Sequence, residues 1–325
     1  MILTLIEYGD QGVLGNSLEA LTVARDLAQE VGASLNAALV GSAPDDVVDT
    51  LGRYGVDTVY VAQHEQLDGA GYAPAAWAAT VIELMESHEP QAVVAAGTDR
   101  GNEIMAHVGA RLNQPVAANC VGVEPGASYR VTRVRWGGSL LEEAVLHGQP
   151  PLLTVAPAAV EATEAPAASA PQVETFEPAL DDGDFLVRVV GREQTSREGV
   201  SLSSARIVIG GGRGVGSAEG FEALEELAAL TGGAVGGSRV VTNNGWRPHA
   251  DQIGQTGARI APDLYIACGI SGAIQHMVGC QGAKQILAIN SDPNAPIMAK
   301  ADYAVVGDLH EVIAALTEEL RKRKA

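Results

Sequence analysis

A regular alternation of short apolar runs with amphipathic segments is the feature that most constrains the fold of this chain. Apolar runs of strand length occur in the first half at residues 2–7, 34–40, 57–62 and 91–96. Segments with helical periodicity follow them at 17–31, 45–52, 74–88 and 100–112. Because repeats of strand and helix build parallel sheets covered by helices, we expect an α/β fold with a mostly parallel sheet.

The alternation changes along the chain, and these changes predict two domains. Shorter strand-like runs, punctuated by Gly and Pro, occupy 116–155, so the first domain should end in a β-rich part. Residues 156–183 are built from Ala, Pro, Glu, Thr, Ser and Asp, which predicts a surface linker or wrapping segment. A strand at 184–191 should follow. We therefore expect a scaffold domain at 1–183 and a doubly wound α/β domain at 184–325.

Charge and composition argue against several classes of function. The 325 residues carry a formal net charge of -19 at pH 7, which disfavours a nucleic-acid or anionic-membrane surface. No stretch approaches the ~20 apolar residues of a membrane span, and the N-terminus lacks a signal-peptide pattern. We expect a cytoplasmic chain without membrane insertion. Cys120, Cys268 and Cys280 lack metal-ligand spacing, so buried free thiols and no bound metal are expected.

Glycine in the second half gathers where strands should end, the place where open α/β sheets bind ligands. The run GGGRGVGS at 210–217 carries Arg213, and its amides and cation could hold a phosphate. Its spacing matches neither the dinucleotide fingerprint nor a P-loop, so a glycine-rich turn without a ligand stays open. Ser238 and Arg239 follow the next strand, and Gln255 and Thr256 lie between glycines. Plain turn residues are the alternative there.

The strongest pattern is LYIACGISGAIQH at residues 264–276. A buried strand leads into a Gly-Ile-Ser-Gly turn and then a helix, with Ser271 expected as the helix N-cap. Free amides and the helix dipole favour an anion at such a helix start, so we expect a pyrophosphate there. Gln275 and His276 lie about one turn further on. We expect His276 to face the ligand, although a lone helical histidine is more often structural.

Two later strands end at polar residues. Asn290 follows an apolar run at 286–289, and Asp308 follows another at 303–306. Both side chains are able to bond ribose hydroxyls or an adenine edge. Both also suit a turn or a helix N-cap, and Asp308 could serve in both ways.

Taken together, these motifs resemble the alpha subunit of electron transfer flavoproteins. The resemblance covers the second half from Arg206 to Leu320, and its most specific pieces are QIGQTG at 252–257 and GISGAIQH at 269–276. The first half is similar in layout, most recognisably in GTDRGNEIMAHVGARL at 97–112. The resemblance implies that FAD lies over the second domain and that the flavin ring faces a beta subunit.

The resemblance also implies roles for single residues. Arg213 and Ser238 match positions that hold the phosphate and ribityl portion or lie beside the flavin. Arg239 matches the arginine set against the flavin ring. Thr256, with Gln255, matches the hydroxyl-bearing position that bonds the flavin N5 atom. A cation and a hydroxyl placed there would stabilise the one-electron-reduced flavin anion.

The remaining implied contacts involve the phosphates and the adenosine. Residues 271–276 match the pyrophosphate-binding turn, with His276 as a titratable donor near the flavin O2 edge. Asn290 and Asp308 match contacts at the adenosine end. The complete expected FAD-binding set is Arg213, Ser238, Arg239, Ile253, Gly254, Gln255, Thr256, Ser271, Gly272, Ala273, Ile274, Gln275, His276, Asn290, Asp308 and Leu309.

The implied activity is electron transport rather than stand-alone catalysis, since no nucleophile or proton-abstracting carboxylate is conspicuous. The electrons would come from flavin dehydrogenases, such as the acyl-CoA dehydrogenases of fatty acid β-oxidation, and go to a membrane quinone reductase or another acceptor. An electron-bifurcating, NADH-linked complex is the neighbouring alternative. An NAD(P)-binding enzyme domain and a nucleotide binder without redox activity are alternatives from other classes.

Overall fold

The structure is a computed structural model that describes residues 1–70, 72–138, 140–191, 201–202 and 205–324. The chain divides into two compact units, Met1–Gln194 and Thr195–Ala325, so the first unit extends past the boundary expected after residue 183. Helices cover mostly parallel sheets in both units, and this confirms the predicted α/β fold.

The first unit alternates strands and helices as its sequence predicts. Its helices are α1 Gly15–Val31, α2 Asp45–Arg53, α3 Glu65–Ala70, α4 Pro74–His88 and α5 Asp99–Leu112. Its strands are β1 Ile2–Leu5, β2 Tyr8–Gly9, β3 Gly12–Val13, β4 Leu35–Val40, β5 Thr58–Ala62, β6 Ala92–Ala96, β7 Val116–Glu124, β8 Tyr129–Arg135, β9 Leu140–Leu146, β10 Leu152–Val155 and β11 Gln172–Phe176.

A nine-stranded sheet carries the described part of the first unit, in the order β11-β5-β4-β1-β6-β10-β7-β8-β9. The pairs from β11 to β7 are parallel, whereas β7-β8 and β8-β9 are antiparallel. The strands after residue 116 thus form the expected β-rich end, although β7, β8 and β9 are longer than the preceding strands of the sheet rather than shorter. Strands β1, β4 and β6 are buried along their whole length, as apolar strands covered by helices on both faces must be.

The proline- and alanine-rich segment 156–183 wraps around the first unit. The Arg25 guanidinium donates to the Thr163 carbonyl at 2.7 Å, and the Ala165 amide donates to the Arg53 carbonyl at 2.8 Å. The segment contains β11, which pairs in parallel with β5. It therefore adds an edge strand that the sequence interpretation did not include.

The strand expected at 184–191 is wrong. Asp182–Phe185 form a short 3-10 helix instead, and residues 186–191 lie outside any strand. Asp181 explains the change, because its Oδ1 accepts hydrogen bonds from the amides of Gly183 at 2.8 Å and Asp184 at 3.2 Å. This capping turns the backbone away from an extended path.

The second unit is a five-stranded parallel sheet, in the order β13-β12-β14-β15-β16. The chain moves from β12 to β13 on one side and then to β14 on the other. The carboxyl ends of β12 and β14 therefore form the topological switch point where such sheets bind ligands. The elements are β12 Ile207–Gly211, α6 Glu222–Thr231, β13 Ala234–Gly237, α7 Arg239–Asn243, β14 Leu264–Cys268, α8 Ile274–Cys280, β15 Ile286–Asn290, β16 Tyr303–Val306 and α9 Leu309–Lys324.

Two further sequence expectations concern the cysteines and membrane-spanning helices. Cys120, Cys268 and Cys280 are free and buried, as predicted, and burial raises the pKa of each thiol to about 12. Across the described ranges, no helix has the length and apolar character that crossing a membrane requires.

Candidate functional site

A cavity of about 610 Å³ opens where β12, β13, β14 and β15 of the second unit end. It lies at the switch point of the sheet, as the glycine-rich strand ends predicted. Its wall unites residues from five separate segments of the chain. The predicted site residues that line it are Arg213, Ser238, Arg239, Ile253, Gly254, Gln255, Thr256, Ser271, Ala273, Gln275, His276 and Asn290.

Four predicted residues lie outside the cavity wall. Leu309 is buried in the core of the unit, whereas Ile274 is exposed and does not line the cavity. Gly272 is buried with a φ of 83°, and a Cβ there would lie 2.5 Å from the Ile297 amide nitrogen. Asp308 caps α9, since its Oδ1 accepts from the His310 amide at 2.8 Å. The sequence allowed Asp308 to be a ligand contact or a helix N-cap, and this geometry supports the N-cap.

The glycines at the switch point let two loops touch. The Gly212 amide donates to the Cys268 carbonyl at 2.8 Å, and the Gly214 amide donates to the Gly269 carbonyl at 3.1 Å. A Cβ on Gly212 would lie 2.3 Å from the Gly269 oxygen. Gly210 has another purpose, because a Cβ there would lie 2.2 Å from the hydroxyl of buried Tyr265. The run of glycines thus serves core packing as well as the cavity.

Two arginines bring positive charge to the cavity wall. Arg213 follows β12 and Arg239 begins α7, and both side chains are exposed. Within the described residues neither has a carboxylate in ion-pair distance. Ser238 precedes α7 but makes no capping bond with its hydroxyl, which stays available at the wall. These groups favour an anionic ligand.

The helix after β14 starts later than predicted. Ala273, not Ser271, is the N-cap of α8, and no side chain caps it. The left-handed backbone at Gly272 explains the delay, because it reverses the chain before the helix can begin. Ser271 is exposed at the cavity wall, and its carbonyl accepts from the Ile297 amide at 3.1 Å. The turn therefore offers a hydroxyl and backbone, but no capped helix start at Ser271.

His276 lines the cavity but turns one ring nitrogen into the core. Its Nε2 lies 2.8 Å from the Tyr265 hydroxyl, and its side chain is only 7% exposed. Burial lowers the pKa of His276 to about 4, and the adjoining Ile253 backbone opposes this only in part. Burial also raises the pKa of Tyr265, so both groups are neutral near pH 7. The expectation that His276 adds a titratable charge near neutral pH is therefore wrong.

Gln252 is a wall residue that the sequence interpretation did not select. Its Nε2 donates to the Thr256 hydroxyl at 2.9 Å, and its Oε1 accepts from the Thr242 hydroxyl at 2.9 Å. Gln252 stands in the QIGQTG motif, so the motif itself was the available signal. Its two threonine partners are not readable from spacing alone. Other lining residues not selected are Gly214, Val240, Gly269, Ile270, Ser291, Asp292, Ala295 and Pro296.

Asn290 holds the loop after β15 with both ends of its amide. The Asn290 Nδ2 donates to the Ile270 carbonyl at 2.9 Å, and its Oδ1 accepts from the Asp292 amide at 3.0 Å. It therefore ties two cavity loops together while lining the wall. The turn reading of Asn290 is supported by these bonds.

The assembled site suits an elongated ligand that has both anionic and uncharged polar parts. Arg213 and Arg239 supply cations without a carboxylate partner in the described part of the chain, and Ser238, Thr256 and Ser271 supply hydroxyls. Glycine lets two segments of the cavity wall approach closely, since a Cβ on Gly254 would lie 3.0 Å from the Gln275 carbonyl oxygen. FAD has a diphosphate, polyol hydroxyls and a flat heterocycle, so the residues present fit the cofactor that the sequence resemblance implies.

Known proteins match the chain along nearly its whole length. The family profile described as "Electron transfer flavoprotein domain" matches residues 2–181, and that described as "Electron transfer flavoprotein FAD-binding domain" matches residues 201–281. The chain is 39% identical over 323 residues to the electron transfer flavoprotein subunit alpha of Mycobacterium tuberculosis, covering 99% of both chains. The subunit of the same name from Bacillus subtilis is 34% identical over 322 residues, covering 99% of this chain and 97% of the relative. Protein FixB of Clostridium saccharobutylicum is 37% identical over 310 residues, covering 94% of this chain and 92% of the relative. The chain therefore belongs to the electron transfer flavoprotein alpha-subunit family, and its cofactor is FAD.

Proposed function

We propose that this chain is the FAD-carrying subunit of a heterodimer with a beta subunit. It takes electrons from flavin dehydrogenases, such as acyl-CoA dehydrogenases, and delivers them to a quinone reductase or another acceptor. The observation that carries this proposal is the cavity wall. It joins several hydroxyls and a neutral histidine to two arginines that have no carboxylate partner among the described residues. When bound, FAD supplies the capacity to accept and release single electrons.

We assign the wall residues to parts of the cofactor. Arg213, Ser238 and the 269–273 turn hold the diphosphate and polyol. Arg239 and Thr256 contact the flavin ring, and the loop held by Asn290 supports the adenosine end. The fit rests on charge and hydrogen-bonding character, because cations and hydroxyl donors stabilise an anionic cofactor and a reduced ring.

The wall favours a carrier over a catalyst that transforms its own substrate. His276 is neutral and bonded to Tyr265, so it is poorly placed as a general base. Asp292 is an exposed turn residue whose Oδ1 accepts from the Asn294 amide at 2.8 Å. Cys268 is buried with a raised pKa, which makes it a poor nucleophile. Substrate chemistry therefore falls to the partner enzymes.

The proposal is tested by producing the chain together with the beta-type subunit of the same organism. We expect one complex that carries FAD and is reduced by an acyl-CoA dehydrogenase with its substrate. Each donor is supplied separately, and NADH is one of them. Reduction by NADH alone would favour the electron-bifurcating alternative, and absence of bound flavin or of any electron transfer would refute the proposal.

A further inference from the structure

A short chain of buried hydrogen bonds runs behind the cavity wall. Thr242 on α7 is 4% exposed and Gln252 is 5% exposed, whereas Thr256 is exposed at the wall. The Thr242 hydroxyl donates to Gln252 Oε1 at 2.9 Å, and Gln252 Nε2 donates to the Thr256 hydroxyl at 2.9 Å. One buried amide thus connects the hydroxyl at the cavity with the helix that begins at Arg239.

The direction of these bonds decides what Thr256 offers to a ligand. A hydroxyl has one hydrogen to donate and accepts through its lone pairs. Because Gln252 donates to Thr256, the Thr256 hydrogen is free to point into the cavity. If the amide turned over, its oxygen would accept from Thr256, and only lone pairs would face the cavity.

The turned amide would also have partners. Its Nε2 would then donate to the Thr242 hydroxyl, whose own hydrogen has a second acceptor in the Arg239 carbonyl at 3.1 Å. Both orientations of Gln252 therefore satisfy the buried groups around it. A buried amide with two satisfied orientations is able to follow the hydrogen-bonding character of a ligand at low cost.

The backbone around Gln252 leaves the side chain as the part that turns. The backbone N–H of Gln252 donates to the His249 carbonyl at 3.0 Å, and the backbone carbonyl of Gln252 accepts from the backbone N–H of Ala258 at 2.7 Å. A Cβ on Gly257 would lie 2.2 Å from the backbone carbonyl oxygen of Gln252, so the loop packs tightly against the Gln252 backbone. The main chain is thus held from two sides.

We propose that Gln252 is a positioning residue that sets whether the Thr256 hydroxyl donates to the flavin ring or accepts from it. This rests on the proposed function, in which Thr256 contacts the ring. An oxidised flavin presents a bare nitrogen that accepts a hydrogen bond at N5. After uptake of two electrons and a proton the same atom carries a hydrogen and becomes a donor. The Gln252 amide matches the first case in its observed orientation and the second when turned.

The observed orientation also strengthens Thr256 as a donor. A hydroxyl that accepts a hydrogen bond becomes more polarised and donates more strongly. Extra negative charge on the ring after the first electron is therefore better stabilised with Gln252 in place. Removing the amide should lower the equilibrium constant for the first one-electron reduction by about tenfold, which is 59 mV.

A double-mutant cycle on the FAD-loaded complex tests this inference. The variants are Gln252→Met, which keeps length without hydrogen bonds, Thr256→Val, Thr256→Ser, and Gln252→Met combined with each of the two Thr256 substitutions. Spectroelectrochemical titration gives the first-electron potential, and flavin content and thermal melting are measured beside it. We expect Gln252→Met to lower the potential by about 59 mV in the wild-type and Thr256→Ser backgrounds. In the Thr256→Val background the shift should vanish, since no hydroxyl is left to orient.

Equal shifts in the valine and wild-type backgrounds would overturn the inference, because Gln252 would then act without Thr256. No shift in any background would overturn it as well. If Gln252→Met fails to fold, Thr242→Val replaces it, because this substitution removes the Thr242 hydroxyl that holds the Gln252 side-chain amide. The first-electron potential must then shift by an amount that depends on Thr256. Lack of flavin in the unmutated complex is a separate outcome, which contradicts the proposed function itself.

Discussion

The neutral His276 makes a quantitative prediction about acid stability. In an unfolded chain a histidine titrates near pH 6.5, whereas burial lowers the pKa of His276 to about 4 in the folded unit. Unfolding between these pH values therefore takes up a proton. Stability that is present above about pH 6.5 is lost as the pH falls toward 4, and replacing His276 by a residue that does not titrate should remove that loss.

The magnitude follows from the difference between the two pKa values. A separation of about 2.5 units is worth about 3 kcal/mol once the pH lies below both values. At pH 5.0 about 2 kcal/mol of this is already lost relative to pH 7.5. Other buried groups add their own pH dependence, so the quantity to compare is the difference between wild type and variant.

Urea unfolding of the full chain at pH 7.5 and pH 5.0 measures that difference. The variant is His276→Gln, whose amide can replace the bond to Tyr265, and the control is His310→Gln on the exposed face of α9. We expect His276→Gln to lose about 2 kcal/mol less than wild type on acidification, and His310→Gln to behave as wild type. An identical pH dependence in wild type and His276→Gln would refute the reasoning, as would a His276 ring that titrates near pH 6.5 by NMR.

Three further predictions follow from single contacts. Gly272→Val should reduce thermal stability and soluble yield as well as flavin content, because its Cβ would meet Ile297 at 2.5 Å; a stable Gly272→Val protein that merely lacks FAD would contradict this. Arg239→Ala should lower the first-electron potential of the bound flavin by roughly 50 mV, with Arg239→Lys closer to wild type, in a spectroelectrochemical titration; an unchanged potential would count against its place at the ring. Asp308→Ala should cost about 1 kcal/mol in urea unfolding through the lost cap of α9, with Asp308→Asn as the tolerated control; equal stability of Asp308→Ala and wild type would rule out that role.

The fold was predictable where buried strands have continuous apolar sequences. Strands such as β6, AVVAA, are apolar along their whole length because helices cover both faces of a parallel sheet. β11 escaped prediction because its sequence, QVETF, is mostly exposed at the sheet edge and follows a proline-rich segment. The strand expected at 184–191 failed for the opposite reason. Its sequence is apolar, but Asp181 imposes a turn before it.

The candidate site was predictable as a place, and less so as a set of contacts. Glycine at the strand ends located the cavity, since close approach of loops demands residues without a Cβ. Tyr265 and Gln252 were missed because their roles depend on partners that only the folded chain brings near. The sequence distance from Tyr265 to His276 is 11 residues, and no spacing rule reveals a bond across it.

The structure leaves the positive charge of the site to the expected arginines alone, because the expected titratable donor, His276, is neutral. In a chain with a net charge of -19, the second unit pairs Arg206 and Arg247 with carboxylates. Within the residues described, Arg213 and Arg239 have no such partner and both line the cavity. Guanidinium groups keep their charge at any physiological pH, whereas His276 is neutral. A positive potential built from arginines alone therefore does not fade between pH 6 and pH 8, so histidine titration should leave the first-electron potential of the flavin unchanged across that range.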